Sequence, residues 1–272
     1  MKYDNTRAPM AVILAAGIGS RLSPLTDKTA KSLLPVGGSV ILERMIRNCL
    51  SCGMSQFVVV LGHRADDVKE FIDKTFRGIR VTYVVNDRYR DTNTGYSLML
   101  ASSAVGTSEF IKFDADVVFE TRILRALIDN DRPNLLCIDR TIGLADEKAN
   151  VIADDEMRVS EIGKSVDPAT SLGKSIGIEK ISAVTGRLLF AELTEMMDSP
   201  ANARAHYEAA HARLVEGIPF HALDITGMKW TAIDTPEDFA AANAMFGTPI
   251  TTVSRGQQRA LDEASTNPQR SL

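Results

Sequence analysis

Residues 11–35 read AVILAAGIGSRLSPLTDKTAKSLLP, from Ala11 to Pro35, and the rest of the chain is organised around them. The apolar run Ala11 to Ala16 stops abruptly at Gly17-Ile18-Gly19-Ser20-Arg21, and Lys28 and Lys31 follow in a polar loop that closes at Pro35. This pattern predicts a strand delivering a phosphate cradle. Glycines let backbone N–H groups turn towards a polyanion, while Arg21 and Lys31 supply fixed positive charge. Two better-known phosphate loops are excluded by spacing. A dinucleotide fingerprint needs a third glycine where Leu22 stands, and the Gly-Lys-Ser triplets at Gly163 and Gly173 have Arg158 and Pro168 where a P-loop has its leading glycine.

Beyond the loop, Leu42, Met45, Ile46, Cys49 and Leu50 recur at helical spacing from Val40 until Gly53. Gln56 to Gly62 reads as a buried parallel strand. Asp66 and Asp67 open a second helix that turns Val68, Phe71 and Ile72 inward. A strand from Ile79 to Asn86, a helix from about Ser97 to Ala104 and a strand from Phe110 to Phe113 follow. Strand alternating with helix predicts an α/β fold with a doubly wound sheet and ligands at the carboxyl ends of its strands.

After about Arg140 the elements shorten. Val151 to Ala153 and Arg158 to Ile162 look like a hairpin and Ser175 to Ile181 like a strand. Two helices follow, at about Gly186 to Met197 and Ala201 to Val215. Thr235-Pro236-Glu237-Asp238 is a helix start, with a capping threonine, proline at the first position and acids in the first turn. The division expected is a nucleotide-binding half over 1–140, an acceptor-side half of the same domain over 141–246, and a polar tail over 247–272.

The 272 residues suffice for a sizeable core, and 44% hydrophobic with 24% charged residues is ordinary for a soluble globular protein. A net charge of −4 lacks the basic excess of a nucleic-acid surface. Three cysteines cannot all pair, and Cys49-x-x-Cys52 sits inside an apolar helix pattern, so core packing is expected. No run approaches the ~18 apolar residues of a membrane span, and Met1 to Pro9 is too short and polar for a signal peptide, so the cytoplasm is the default expectation.

Leu14-Ala15-Ala16-Gly17-x-Gly19-Ser20-Arg21-Leu22-x-Pro24-Leu25-Thr26, followed by Lys31-x-Leu33-Leu34-Pro35-Val36, resembles the signature of the nucleotidyltransferases that make NDP-sugars and CDP-alcohols. The resemblance implies a Rossmann-like, glycosyltransferase-A-like fold with a mixed, mostly parallel sheet and a small substrate-side subdomain. Phe113-x-Ala115-Asp116 and Ile233-Asp234-Thr235 match the family's metal-ligand positions, so Asp116 and Asp234 are the expected Mg²⁺ ligands, with Asp114 in support. A magnesium ion held by one or two carboxylates keeps positions for phosphate oxygens.

The implied reaction is attack by an acceptor phosphate or phosphonate oxygen on the α-phosphorus of an NTP, expelling pyrophosphate. Such a nucleophile is already ionised near neutral pH, so catalysis rests on alignment and charge neutralisation by Arg21 and Lys31. The nucleotide is expected against Leu14, Ala15, Ala16, Gly17, Gly19 and Ser20, with Asn93, Gly95 and Ser97 as a second wall. Asn93-x-Gly95-Tyr96-Ser97-Leu98 is closer to the cytidylyltransferases for phosphocholine, inositol phosphate and phosphonates than to thymidylyltransferases, which points to CTP. For the acceptor, Lys164 resembles a phosphate-holding lysine of the sugar and inositol enzymes. Glu179 is a candidate partner of a cationic head group, and Trp230 with Tyr89 or Tyr96 a candidate aromatic wall. A sugar-1-phosphate enzyme using UTP or dTTP and a catalytically silent nucleotide-binding module remain as rival readings, and a homo-oligomer is compatible with all three.

Overall fold

Side chains of β1 (Met10–Ala15) alternate between two cores. In this computed structural model, which describes residues 8–141 and 148–247, Ala11, Ile13 and Ala15 enter one apolar cluster while Val12 and Leu14 enter another. The chain continues through a short hairpin of β2 (Pro35–Val36) and β3 (Ser39–Val40) into α1 (Ile41–Ser51), β4 (Gln56–Leu61), α2 (Ala65–Thr75) and β5 (Arg80–Val85). Then come α3 (Thr94–Leu100), α4 (Ser102–Val105), β6 (Phe110–Asp114), β7 (Val117–Phe119), α5 (Thr121–Ile128) and β8 (Leu135–Asp139). The second half comprises β9 (Asn150–Ala153), β10 (Val159–Gly163), β11 (Gly173–Ile181), α6 (Ala183–Met197), α7 (Glu208–Leu214), β12 (His221–Asp224), β13 (Trp230–Ala232) and α8 (Pro236–Phe246).

β5, β4, β1 and β6 pair in parallel in that spatial order. β11 runs antiparallel to β6, β8 and β9, the last of which forms an antiparallel hairpin with β10, and β12 adds in parallel to β8. Helices α1, α2 and α5 pack on the face of Ile13, and α3, α6 and α7 on the face of Val12. The expected mixed, doubly wound sheet is borne out. The chain leaves β1 towards β4 on one side and returns at β6 on the other, so the carboxyl ends of β1 and β6 form a topological switch point, the usual seat of a ligand.

A third cluster sits under the glycine loop, where Leu22, Leu34, Val36 and Ile41 meet Val118, Ile233 and Ala242. It fastens α8 and the residues before it to the first loop. β13 pairs antiparallel with β7, and Ile233 N–H donates to Asp116 C=O at 3.1 Å, so the two segments that carry Asp116 and Asp234 are neighbouring strand ends. Thr235 and Asp238 cap α8 reciprocally, as the sequence pattern predicts.

Two helix expectations shift. The Ser97 to Ala104 helix begins earlier, at Thr94, because the Asn93 side chain accepts from Thr94 N–H at 2.9 Å, and it breaks at Ala101 into α3 and α4. The Ala201 to Val215 helix shrinks to a single 3₁₀ turn at Pro200–Asn202 and α7, because the intervening chain abuts α3, where Gly95 N–H donates to Ala205 C=O. The 248–272 part of the expected polar tail lies outside the described residues.

Candidate active site

A cleft of about 460 Å³ opens over the carboxyl ends of β1 and β6. Gly19 has φ of 70°, and a Cβ there would stand 3.1 Å from Thr26 Cγ2 and 3.2 Å from Lys31 Cβ. Only glycine takes this left-handed turn cheaply while the Lys31 stem passes beneath it. Thr26 Oγ1 locks the turn by donating to Gly19 C=O at 2.8 Å. Leu14, Ala15, Ala16, Gly17, Gly19 and Ser20 all line the cleft. Asn93 and Ser97 line it too, and buried Asn86 holds that wall by donating to Ser97 Oγ at 3.0 Å and to Thr92 Oγ1 at 3.1 Å.

The floor is charged. Lys31 Nζ donates to Asp116 Oδ2 at 2.6 Å and to Asp234 Oδ1 at 2.7 Å, while Arg21 lies 3.1 Å from the same Asp234 oxygen. Burial disfavours the Lys31 ammonium, but Asp116 and Asp234 outweigh it and raise its pKa. Burial likewise disfavours the Asp116 carboxylate, yet Lys31 and Lys148 pull it down to about 2. The second lysine, Lys148, stands 3.8 Å from Asp234 Oδ2; against burial, Asp116, Asp234 and Asp114 raise its pKa. Two carboxylates and three cations thus meet where four separate chain segments converge.

Of the acceptor-side candidates, Lys164 lines the cleft and its Nζ is 3.4 Å from His206 Nε2, which also meets Asn93 Nδ2 at 3.1 Å. The others lie elsewhere. Glu179 is fully buried on β11, opposite Lys112 of β6, with Lys112 Nζ 3.6 Å and His211 Nε2 3.6 Å from its two oxygens. Trp230 does not build an aromatic wall: its Nε1–H donates to Asp139 Oδ2 at 2.7 Å, beside a separate, smaller cavity. Tyr96 is off the cleft with the Arg88 guanidinium 5.2 Å over its ring. Gly95 packs against the backbone at Ala205, 2.7 Å from where a Cβ would stand, so its role is to let α3 approach that segment.

Sequence reasoning missed Lys148, His206, Tyr207 and Glu208, all on the cleft. Lys148 is an isolated lysine with no pattern around it. His206-Tyr207-Glu208 is a polar interruption of an alanine-rich stretch, a signal masked by reading that stretch as one helix. Tyr207 OH donates to Asp114 Oδ2 at 2.8 Å, and Lys112 Nζ lies 3.3 Å from Asp114 Oδ1, so Asp114 is held from both oxygens.

Comparison with known proteins agrees with this fold. A family model described as "MobA-like NTP transferase domain" matches residues 11–145. The CMP-5'-(3-aminopropyl)phosphonate synthase of Streptomyces rubellomurinus is 28% identical over 261 residues, covering 93% of this chain and 40% of the relative. The bifunctional IPC transferase and DIPP synthase of Aquifex aeolicus is 28% identical over 236 residues, covering 85% and 50%. The choline-phosphate cytidylyltransferase of Streptococcus pneumoniae is 36% identical over 106 residues, covering 39% and 44%. Each of these sequence matches therefore covers half or less of the relative's own length.

Among solved structures, the CTP:phosphocholine cytidylyltransferase from S. pneumoniae superposes with a TM-score of 0.73 at 22% identity, covering 87% of this chain and 99% of that one. The inositol-1-phosphate CTP transferase from T. maritima gives 0.72 at 20% identity, covering 87% and 96%. These likenesses establish the fold. The nucleotidyltransferase resemblance carried by the first loop is thereby borne out, in that residues 11–145 match the model of a MobA-like NTP transferase domain.

Proposed function

We propose that this chain is a cytidylyltransferase, which transfers CMP from CTP to a small phosphorylated alcohol or phosphonate and releases pyrophosphate. The observation that carries the reading is the convergence of Asp116, Asp234, Lys31 and Arg21 at the mouth of the glycine loop. The relatives named for phosphonate, inositol-phosphate and choline-phosphate chemistry support CTP as donor.

An acceptor oxygen forms a bond to the α-phosphorus as the bond to the β-phosphate bridging oxygen breaks, and pyrophosphate departs with that electron pair. No protein base is needed. Arg21 is placed to meet the pyrophosphate charge and Lys31 the α- or acceptor phosphate, by preorganised electrostatics. The backbone of Leu14 to Gly17 reads the base, and Asn93 and Ser97 support the other wall.

The residues present fit a magnesium ion. Asp116 and Asp234 face one point, and Asp116 Oδ1 is buried without a hydrogen-bond partner among the described residues. Two carboxylates suit Mg²⁺, which takes its remaining ligands from phosphate and water. Bound there, the ion would neutralise phosphate charge as a Lewis acid. Lys164 on the cleft keeps a sugar-1-phosphate nucleotidyltransferase as the second reading. The test is pyrophosphate release from CTP, UTP, dTTP, ATP and GTP, each against phosphocholine, phosphoethanolamine, aminoethylphosphonate, inositol phosphate and glucose 1-phosphate. CTP with a small alcohol phosphate or phosphonate is expected to lead; UTP or dTTP with glucose 1-phosphate would transfer the assignment to the second reading.

A further inference from the structure

Beneath the acceptor end of the cleft the carboxylates outnumber the cations. Asp114, Glu179 and Glu208 surround a single fully buried ammonium, Lys112, which sits 3.3 Å from Asp114 Oδ1 and 3.6 Å from Glu179 Oε1. His211 does not add a charge: burial, then Lys112, push it down to about 3, so it is neutral beside Glu179. Lys148 also feels Asp114, but it serves the Asp116 and Asp234 pair. Uncompensated buried charge is costly. Accordingly, burial raises Glu208 to about 7, with Asp114 and Glu179 adding to the rise and Lys112 opposing it.

Glu208 is the member of this group that lines the cleft with an unmet need. Its Oε2 is buried and has no hydrogen-bond partner among the described residues. We infer that Glu208 receives a primary ammonium group at the far end of the acceptor, and that the site selects an amine bearing N–H donors over a quaternary ammonium. This rests on the cytidylyltransferase reading, which puts an acceptor in this part of the cleft.

Chemistry separates the two cations. A carboxylate oxygen that lacks a donor is satisfied by N–H, which a trimethylammonium group does not have; the latter is recognised by open aromatic faces. Here the tyrosine rings already carry protein cations: Lys112 Nζ sits 3.5 Å from the Tyr207 ring centroid, Arg90 lies 5.3 Å over Tyr89 and Arg88 lies 5.2 Å over Tyr96, while Trp230 lines the separate, smaller cavity. A quaternary group would therefore meet protein cations where it needs π-electrons.

The probes are aminoethylphosphonate, phosphocholine and ethylphosphonate, the last carrying no cation, with the whole chain and CTP. Aminoethylphosphonate is expected to exceed both others in kcat/KM by about tenfold or more, the scale of one charge-assisted hydrogen bond. In Glu208→Gln its KM should rise about 10- to 100-fold, at least tenfold more than any change for ethylphosphonate. Equal losses for both phosphonates, or a preference for phosphocholine, would overturn the inference.

A ligand-observed NMR titration of aminoethylphosphonate against wild type and Glu208→Gln decides the point without turnover. Weaker binding by the variant supports the ammonium site even if CTP proves to be the wrong donor, and equal binding refutes it. CTP affinity and thermal melting of the variant verify that it folds, and recovery of amine preference in Glu208→Asp supports a direct carboxylate role.

Discussion

Asp116 and Asp234 share one ammonium: Lys31 Nζ lies 2.6 Å from an oxygen of the first and 2.7 Å from an oxygen of the second. Their segments are joined by backbone as well, through Ile233 N–H to Asp116 C=O. The two acids are therefore held at a fixed separation before any ligand arrives, which is what preorganised charge stabilisation requires.

Asp116→Asn should cut kcat by roughly 10²- to 10³-fold, the scale of removing one preorganised electrostatic group, while CTP still binds weakly. Steady-state pyrophosphate release across a Mg²⁺ series, with calorimetric CTP binding alongside, checks this. Near-normal turnover at every Mg²⁺ concentration would remove Asp116 from the machinery.

Lys31→Met deletes the shared ammonium and leaves the two carboxylates with Arg21 at 3.1 Å and Lys148 at 3.8 Å from Asp234. The variant should melt earlier than wild type without divalent ions and recover more than wild type on adding Mg²⁺, because a cation then replaces the lost one. Turnover should stay low in either condition. Melting curves with and without Mg²⁺ read the difference, and an identical Mg²⁺ response in both proteins would refute the shared-cation account.

Trp230→Phe should lower stability by about 1–3 kcal/mol, since it removes the indole donor from Oδ2 of buried Asp139. Acceptor KM should not change, because the indole is tied to Asp139 and does not line the main cleft. A melting temperature lowered by several degrees with unchanged KM is the expected pair of results. A raised KM would restore the aromatic-wall expectation.

Glu179→Gln tests the buried cluster by pH. Burial raises the Glu179 carboxyl from 4.5 to about 7, with Lys112 opposing and Asp114 adding to the rise. The folded state then holds a proton that the unfolded state has released between pH 4.5 and about 7. The contribution of this group to stability is full below that window and is lost as pH rises through it. The variant should therefore gain on wild type with rising pH, by up to about 3 kcal/mol above the window, and show little difference below it. His211, held low by burial and Lys112, titrates with the opposite sign, so the difference between variant and wild type is the readout. A constant difference in melting temperature at all pH values would contradict it.

The glycine loop, the parallel strands and the capped start of α8 were legible because each is a local pattern: an apolar run, a helical period, a threonine before Pro236. The two short strands β7 and β12, of three and four residues, carry too few residues for a period to register. Trp230 and Glu179 show the other limit. A period of two says which strand face a side chain takes, but whether that face meets a cavity, a cation or another carboxylate depends on which strand lies opposite.

From the amino-acid sequence alone came the layered α/β architecture and the glycine loop, since chain-local sterics and hydrophobic periodicity suffice for these, while Asp116 and Asp234 were singled out by the family resemblance. That Lys31 joins those acids, that Lys148 and Glu208 reach the cleft, and that Glu179 and Trp230 do not, became visible only in the folded chain. The reason is physical: contacts between segments remote in sequence are set by how sheets and helices close on one another, and charge placed by such closure has no signature in any one segment.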